Sequence, residues 1–281
     1  MFSKSIGMAH MGVEHDVPDP AAPTRKLLIC TAPRTASGSL STLIRTGGLG
    51  QVSEYYSTLA ERRFRMRNNS RIPVSKSKLS AEYLRTIMPL RTAQGVFAAK
   101  IQHAHVKRAI RAGLARELFD GADLVFLFRR DLSDQAVSYT VSILTDNWGR
   151  QDKTAGSDGF SNARLRREYI RQLRYLAYEY AEWHTIFNSL GMTYTELPSE
   201  QFVQQPAQTV RDLFQLVGAK VDETALTEAV ANMQRYTGNQ QLKQRLREVI
   251  VPSVDHHELL QTRYAPADRL RLSVRNMFGL F

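Results

Sequence analysis

The chain is almost without cysteine: Cys30 stands alone among 281 residues. A single thiol closes no internal disulfide and builds no cysteine metal site, so a reducing compartment, the cytoplasm, is expected. No run of about 18 apolar residues occurs, which excludes an ordinary membrane-spanning helix. Repeats of fixed period and low-complexity tracts are also missing, and with them the solenoid architectures. Residues 1–24 carry three prolines, His10, His15 and several acidic residues around no apolar segment. They are expected as a flexible lead-in, not a signal peptide.

What is present is a chain 43% hydrophobic, long enough to bury a substantial core. A single domain over 25–281 is expected, with a basic, lid-like insertion near 58–94. The formal net charge is +11. Such an excess suits nucleic acid, an anionic membrane surface, or a small substrate bearing several negative charges. It is concentrated in Arg62, Arg63, Arg65, Arg67 and Arg71, and again in Arg164, Arg166, Arg167, Arg171 and Arg174. Neither cluster is interleaved with aromatics, and no helix-turn-helix or zinc pattern accompanies them. Nucleic acid is therefore not favoured as a partner, and solvated faces account for both clusters.

Hydrophobic patterning predicts strands at 27–30, 49–57, 95–102, 122–130 and 192–197. Helices are predicted from about 40 to Gly47, 80–88, 104–118, 131–147, 163–190 and 206–217, with a helical tendency beyond and turns near Gly238, Pro252 and Pro266. Ser80 and Asp131 are the expected caps of two of them. The alternation predicts an α/β fold: a mostly parallel sheet with helices on both faces and a helical C-terminal part. Ligands of such sheets lie beyond the carboxyl ends of the strands. That rule gathers residues 32–39, Glu54, the segment Lys100–His105 and Arg129.

The first strand runs into "TAPRTASGS", a loop leading to a helix. Helix N-termini offer unpaired N–H groups and the positive end of a dipole, which favours phosphate. Arg34, Thr35, Ser37 and Ser39 add donors there, although an ordinary capped turn has the same composition. The nucleotide-hydrolase pattern GxxxxGK[ST] is not met, because Ser39 and Leu40 follow Gly38. Phosphate binding without phosphoryl transfer is the expectation. Further on, "FRRDLSDQAVSYTVSILTDNW" places Gln135, Ser138, Ser142 and Thr145 on one helical stripe, just after Arg129. Arg129 and Ser138 would hold a second phosphate; a salt bridge from Arg129 or Arg130 to Asp131 or Asp134 is the plain alternative.

These segments, with "AAKIQ", resemble the bacterial carbohydrate sulfotransferases of the trehalose 2-sulfotransferase group over roughly residues 26–150. The run Arg130, Asp131, Gln135, Ala136, Val137, Ser138 with Thr145 and Trp148 is the most specific part. The group's loop usually reads P/Q-R-S-G-S-T-L-L. Arg34 and Ser37 match it, Thr35 is a conservative hydroxyl, Ala36 stands for glycine and Gly38 for threonine. The resemblance implies a P-loop-kinase-like sulfotransferase fold, 3′-phosphoadenosine-5′-phosphosulfate (PAPS) as sulfuryl donor, and no metal. It further implies a carbohydrate or glycolipid acceptor and a homodimer.

In that frame Pro33, Arg34, Thr35, Ala36, Ser37, Gly38 and Ser39 would hold the 5′-phosphosulfate, and Arg129 with Ser138 the 3′-phosphate. Glu54 corresponds to the glutamate that the group uses as base, Lys100 would reach the bridging oxygen or the acceptor, and Arg34 would steady developing charge. His103 is a rival base, since other sulfotransferase branches use a histidine after such a lysine. Trp148, Tyr55 and Tyr56 are candidates for stacking or for core packing. A small-molecule kinase with a degenerate loop and a nucleic-acid-binding protein are the alternatives.

Overall fold

Strand β1 (Arg25–Thr31) is buried at every position after its first and forms the centre of the sheet. In the computed structural model, which describes residues 11–70, 73–148, 159–233 and 240–250, the strand order is β2-β3-β1-β4-β5. Strand β2 is Thr92–Ala93, β3 Val96–Ile101, β4 Ala122–Phe128 and β5 Thr195–Pro198. All pairings are parallel except the short β2–β3 pair.

Because side chains alternate along a strand, β1 feeds two cores. Leu28 and Cys30 join one with helices α2 (Thr58–Arg67), α3 (Ala81–Leu90), α4 (His103–Arg111) and the second half of α7 (Asn162–Leu190). Leu27 and Ile29 join the other with α1 (Ser37–Ile44), α8 (Ser199–Gln204), α9 (Pro206–Val217) and α10 (Glu223–Ala231). Helices therefore cover both faces, as the sequence pattern predicts. Burial pushes the Cys30 thiol well up, so this lone cysteine is an inert core residue. A third cluster packs α6 (Leu132–Thr145), the first half of α7 and α11 (Gln240–Ile250) together with Ala32. Among the described residues no helix is long and apolar enough to cross a membrane.

Three local expectations change. Residues 49–57 are not a strand; only Ser53 bridges to Ala99 of β3. Gly50, at φ 72°, turns the backbone out of extended conformation, and Tyr55 and Tyr56 are both fully buried, so no alternation exists to support a ladder. The weakly patterned, basic stretch after it, 58–78, contains a helix, α2, capped by the side chain of Ser57, while α3 with its Ser80 cap is as expected. Arg65 pairs with the buried Glu61, and Arg108 hydrogen-bonds that same carboxylate. The helix expected over 104–118 is divided at Gly113 (φ 75°) into α4 and α5 (Ala115–Phe119). Met1–His10, Arg71 and the turns near Gly238, Pro252 and Pro266 lie outside the described residues.

Candidate active site

The chain leaves β1 toward β3 on one side and toward β4 on the other, which makes the carboxyl end of β1 the topological switch point. The loop there is bent by two left-handed residues, Arg34 (φ 68°) and Ala36 (φ 60°). Left-handed residues within a tight loop turn successive N–H groups toward one concavity, a form suited to anions. Ala36 caps α1 with no side-chain hydrogen bond, so the first-turn amides of Ser37 and Gly38 are left to other acceptors. The hydroxyl of Thr35 is buried and bonded within the loop, to Ala32 O at 3.1 Å and Thr31 Oγ1 at 2.5 Å. It holds the loop's shape. Gly38 faces open space: a Cβ built there would meet nothing within 4 Å.

The loop is tied to α6 by two bonds. Gln135 Nε2 donates to Pro33 O at 2.6 Å, and Arg34 Nε donates to Ser138 Oγ at 3.2 Å. Tyr180 of α7 completes the frame, accepting the Arg129 N–H at 3.0 Å and donating to Gln135 Oε1 at 2.7 Å. Only part of the predicted hydroxyl stripe faces the site. Ser142 and Thr145 bond back to carbonyls of their own helix, those of Ser138 and Val141.

Arg129 is paired with Asp134, as the plain alternative required, and lies 3.8 Å from Glu200. Asp134, however, also binds Arg247 of α11. Burial pushes the Asp134 carboxyl up, but the Arg247 hydrogen bond and the charges of Arg129, Arg247 and Lys243 hold it below the usual range. Lys243 is lowered by burial and then by Arg34, Arg129 and Arg247, with Asp134 opposing. Asp134 thus has Arg129, Arg247 and Lys243 around it, and Arg34 lies within electrostatic reach of Lys243, an arrangement with cationic surplus. Lys243 and Arg247 escaped the sequence reading. Their i, i+4 spacing reads as a solvated helix face, and only the adjacent Leu242–Leu246–Ile250 stripe marks α11 as docked.

On the other side of β1, Lys100 Nζ lies 2.9 Å from Glu54 Oε1, with Gln102 Nε2 at 3.4 Å from the same oxygen. Glu54 is 34% exposed and Lys100 20%, so both are reachable from solvent. Desolvation raises the Glu54 carboxyl, but Lys100 and His105 outweigh it and hold the group below its usual range. His105 is itself buried, lowered to about 4 mainly by desolvation, and its Nδ1 accepts the Gln102 N–H at 3.1 Å. His103 stands apart from this pair: its Nδ1 is 2.9 Å from Glu179 Oε2, both groups being buried. Tyr55 and Tyr56 are packed against Phe97 in the core and line no crevice. Trp148 is half-buried beside Tyr139.

Fold and candidate site together define an α/β protein with a left-handed loop and a group of basic side chains at the carboxyl ends of its central strands. The model of the Stf0 sulphotransferase family matches residues 26–248, and the chain belongs to that family. Among solved structures, the sulfotransferase domain from the Synechococcus PCC 7002 olefin synthase is 14% identical, at a TM-score of 0.40. The match covers 94% of this chain and 98% of that one. No curated protein matches the chain.

Proposed function

We propose that the protein moves a sulfuryl group from PAPS to a hydroxyl of a carbohydrate or glycolipid in the cytoplasm. The observation that carries this reading is the 3.2 Å bond from Arg34 to Ser138, which joins the loop after β1 to α6, the helix that follows Arg129 and whose Asp134 binds Arg247 of α11. A nucleotide phosphorylated at two places needs two neighbouring anion sites, and the donor set here offers both. The loop amides after Ala36 with Arg34 suit a 5′-phosphosulfate, while Arg129, Ser138, Lys243 and Arg247 suit a 3′-phosphate.

Bound there, PAPS supplies an activated sulfuryl group on a phosphate leaving group. Glu54 takes the proton of the acceptor hydroxyl, and its lowered pKa keeps it ionised at neutral pH. Lys100 keeps the base oriented and adds positive charge where negative charge develops. Arg34 serves both anion sites from its place between them. His103, already joined to Glu179, is the second candidate base, and Glu54→Gln decides between them. Lost transfer with PAP binding retained assigns the proton to Glu54; full turnover moves it to His103 or another group.

The direct test is thermal unfolding with 3′-phosphoadenosine 5′-phosphate (PAP) against AMP. Charge-assisted contacts of about 1.5–3 kcal/mol each predict PAP affinity at least tenfold above that of AMP. Equal stabilisation by both refutes the 3′-phosphate site.

A further inference from the structure

Helix α7 crosses over the carboxyl end of β1, where Trp183 Nε1 donates to Thr31 O at 3.2 Å. Glu179 lies one turn earlier, about 6 Å along the axis. A buried carboxylate beside His103 Nδ1 makes that nitrogen the donor of the pair and turns the Nε2 edge of the ring away from Glu179. One further turn back, Tyr175 shares the face of α7 that carries Glu179 and lies within electrostatic reach of Glu179 and Tyr139. Its ring is 5.7 Å from that of Tyr139, tilted by 35°, and Tyr139 meets Trp148 edge-on at 5.8 Å.

The rings of Tyr139 and Tyr175 lie against each other while part of their surface stays open, Tyr175 being 37% exposed, and Trp148 Nε1 donates to Asp146 Oδ1 at 3.0 Å just past the end of α6. Tyr139 lies within electrostatic reach of both Arg34 and Glu179, which sets this wall beside the loop that would carry the reacting group. Three rings with little rotamer entropy, over a histidine–carboxylate pair, match an acceptor with an apolar C–H face and a rim of hydroxyls.

We propose that Tyr139, Trp148 and Tyr175 form the acceptor subsite, with His103–Glu179 as its floor, and that it binds a pyranose ring. This rests on the sulfotransferase reading and adds where the acceptor sits. The ring's C–H face lies on Tyr175 and Trp148, and a ring hydroxyl donates to His103 Nε2. Glu179 acts as a positioning residue, setting the tautomer.

The chain supplies its own reporter, because Trp183 is fully buried and Trp148 is the remaining tryptophan. With PAP bound, wild-type emission is titrated with methyl α-D-glucopyranoside, trehalose and maltose. At least one is expected to shift Trp148 emission, and Trp148→Phe to abolish the shift. Tyr175→Ala is expected to weaken the sugar by about 3- to 10-fold, the worth of one aromatic contact. Tyr175→Phe should stay near wild type, and the PAP-induced melting shift should be the same in all variants. Emission unmoved by all three sugars overturns the subsite. So does an equal response to PAP alone, which would assign the wall to the donor's adenine. Failure of PAP to stabilise the wild type sinks the sulfotransferase reading instead, and is read on a separate curve.

Discussion

Replacing Lys100 with methionine strips Glu54 of the ammonium group 2.9 Å from its Oε1. At an effective dielectric constant of about 20 the pair's Coulomb energy is about 6 kcal/mol, an upper limit. Side-chain exposures of 20% and 34% admit water and counterions, and measured values for exposed pairs fall to about 1 kcal/mol or less. A coupling of about 1–2 kcal/mol is therefore expected between the sites. The assay is a double-mutant cycle in urea with wild type, Lys100→Met, Glu54→Gln and the double variant at neutral pH. Lys100→Met should cost most, because it leaves a desolvated carboxylate with reduced compensation, and Glu54→Gln in that background should recover part of the loss.

The pH dependence supplies the second half of this test. Glu54 is held below its ordinary 4.5 in the folded state. Its stabilising contribution is thus complete above 4.5 and disappears as pH falls through the lower folded value. The cycle's coupling energy should follow that course and shrink in high salt. A coupling below about 0.3 kcal/mol, within ordinary additivity error, would refute the pairing. A coupling that ignores pH would show that the interaction is not between charges.

Lys243→Met and Arg247→Met should each weaken PAP by about tenfold while leaving AMP nearly unchanged, as measured by calorimetry; equal losses for both ligands would remove α11 from the 3′-phosphate site. Ala36→Gly should unfold no earlier than wild type and gain up to about 1 kcal/mol by relieving the left-handed conformation at φ 60°. Ala36→Val should lose stability in the same denaturant series, and matching values for the two would contradict that backbone. His105, with a folded pKa of about 4 against an ordinary 6.5, contributes stability that is complete above 6.5 and is lost as pH falls toward the folded value. Between pH 6.5 and about 5 that loss amounts to about 2 kcal/mol. His105→Asn, whose melting should change less across that window, tests it.

The strands were legible where burial is two-sided: Leu124–Phe128 are continuously apolar, and β4 covers Ala122–Phe128. Helix α6 was legible through Asp131, whose side chain accepts the Asp134 N–H at 2.8 Å. Residues 49–57 were not, because aromatic content imitates a strand while Gly50 and the paired burial of Tyr55 and Tyr56 forbid one. Among the candidate residues, Arg34, Lys100 and Arg129 were legible because each lies at or just past a strand end, whereas Glu54 was reached through a strand that does not form and through the family resemblance, and Ser138 through the hydroxyl stripe of α6. Lys243, Arg247 and Glu179 come near these candidates only through tertiary packing of α7 and α11, and no local pattern names the partner of a helix face, whereas Asp134 was already expected beside Arg129.

Ala36 and Gly38, two departures from the family's loop, carry different weights. At Ala36 the backbone is left-handed, so the family's glycine is the easier residue and alanine sits there at some cost in strain. At Gly38 φ is not positive, and the space where a side chain would lie is open. Nothing in the fold requires glycine at 38, and the family's threonine would fit. The hydroxyl missing from 38 is therefore a difference in what the first turn of α1 offers a ligand, and backbone amides with Ser37 and Ser39 must supply the donors there.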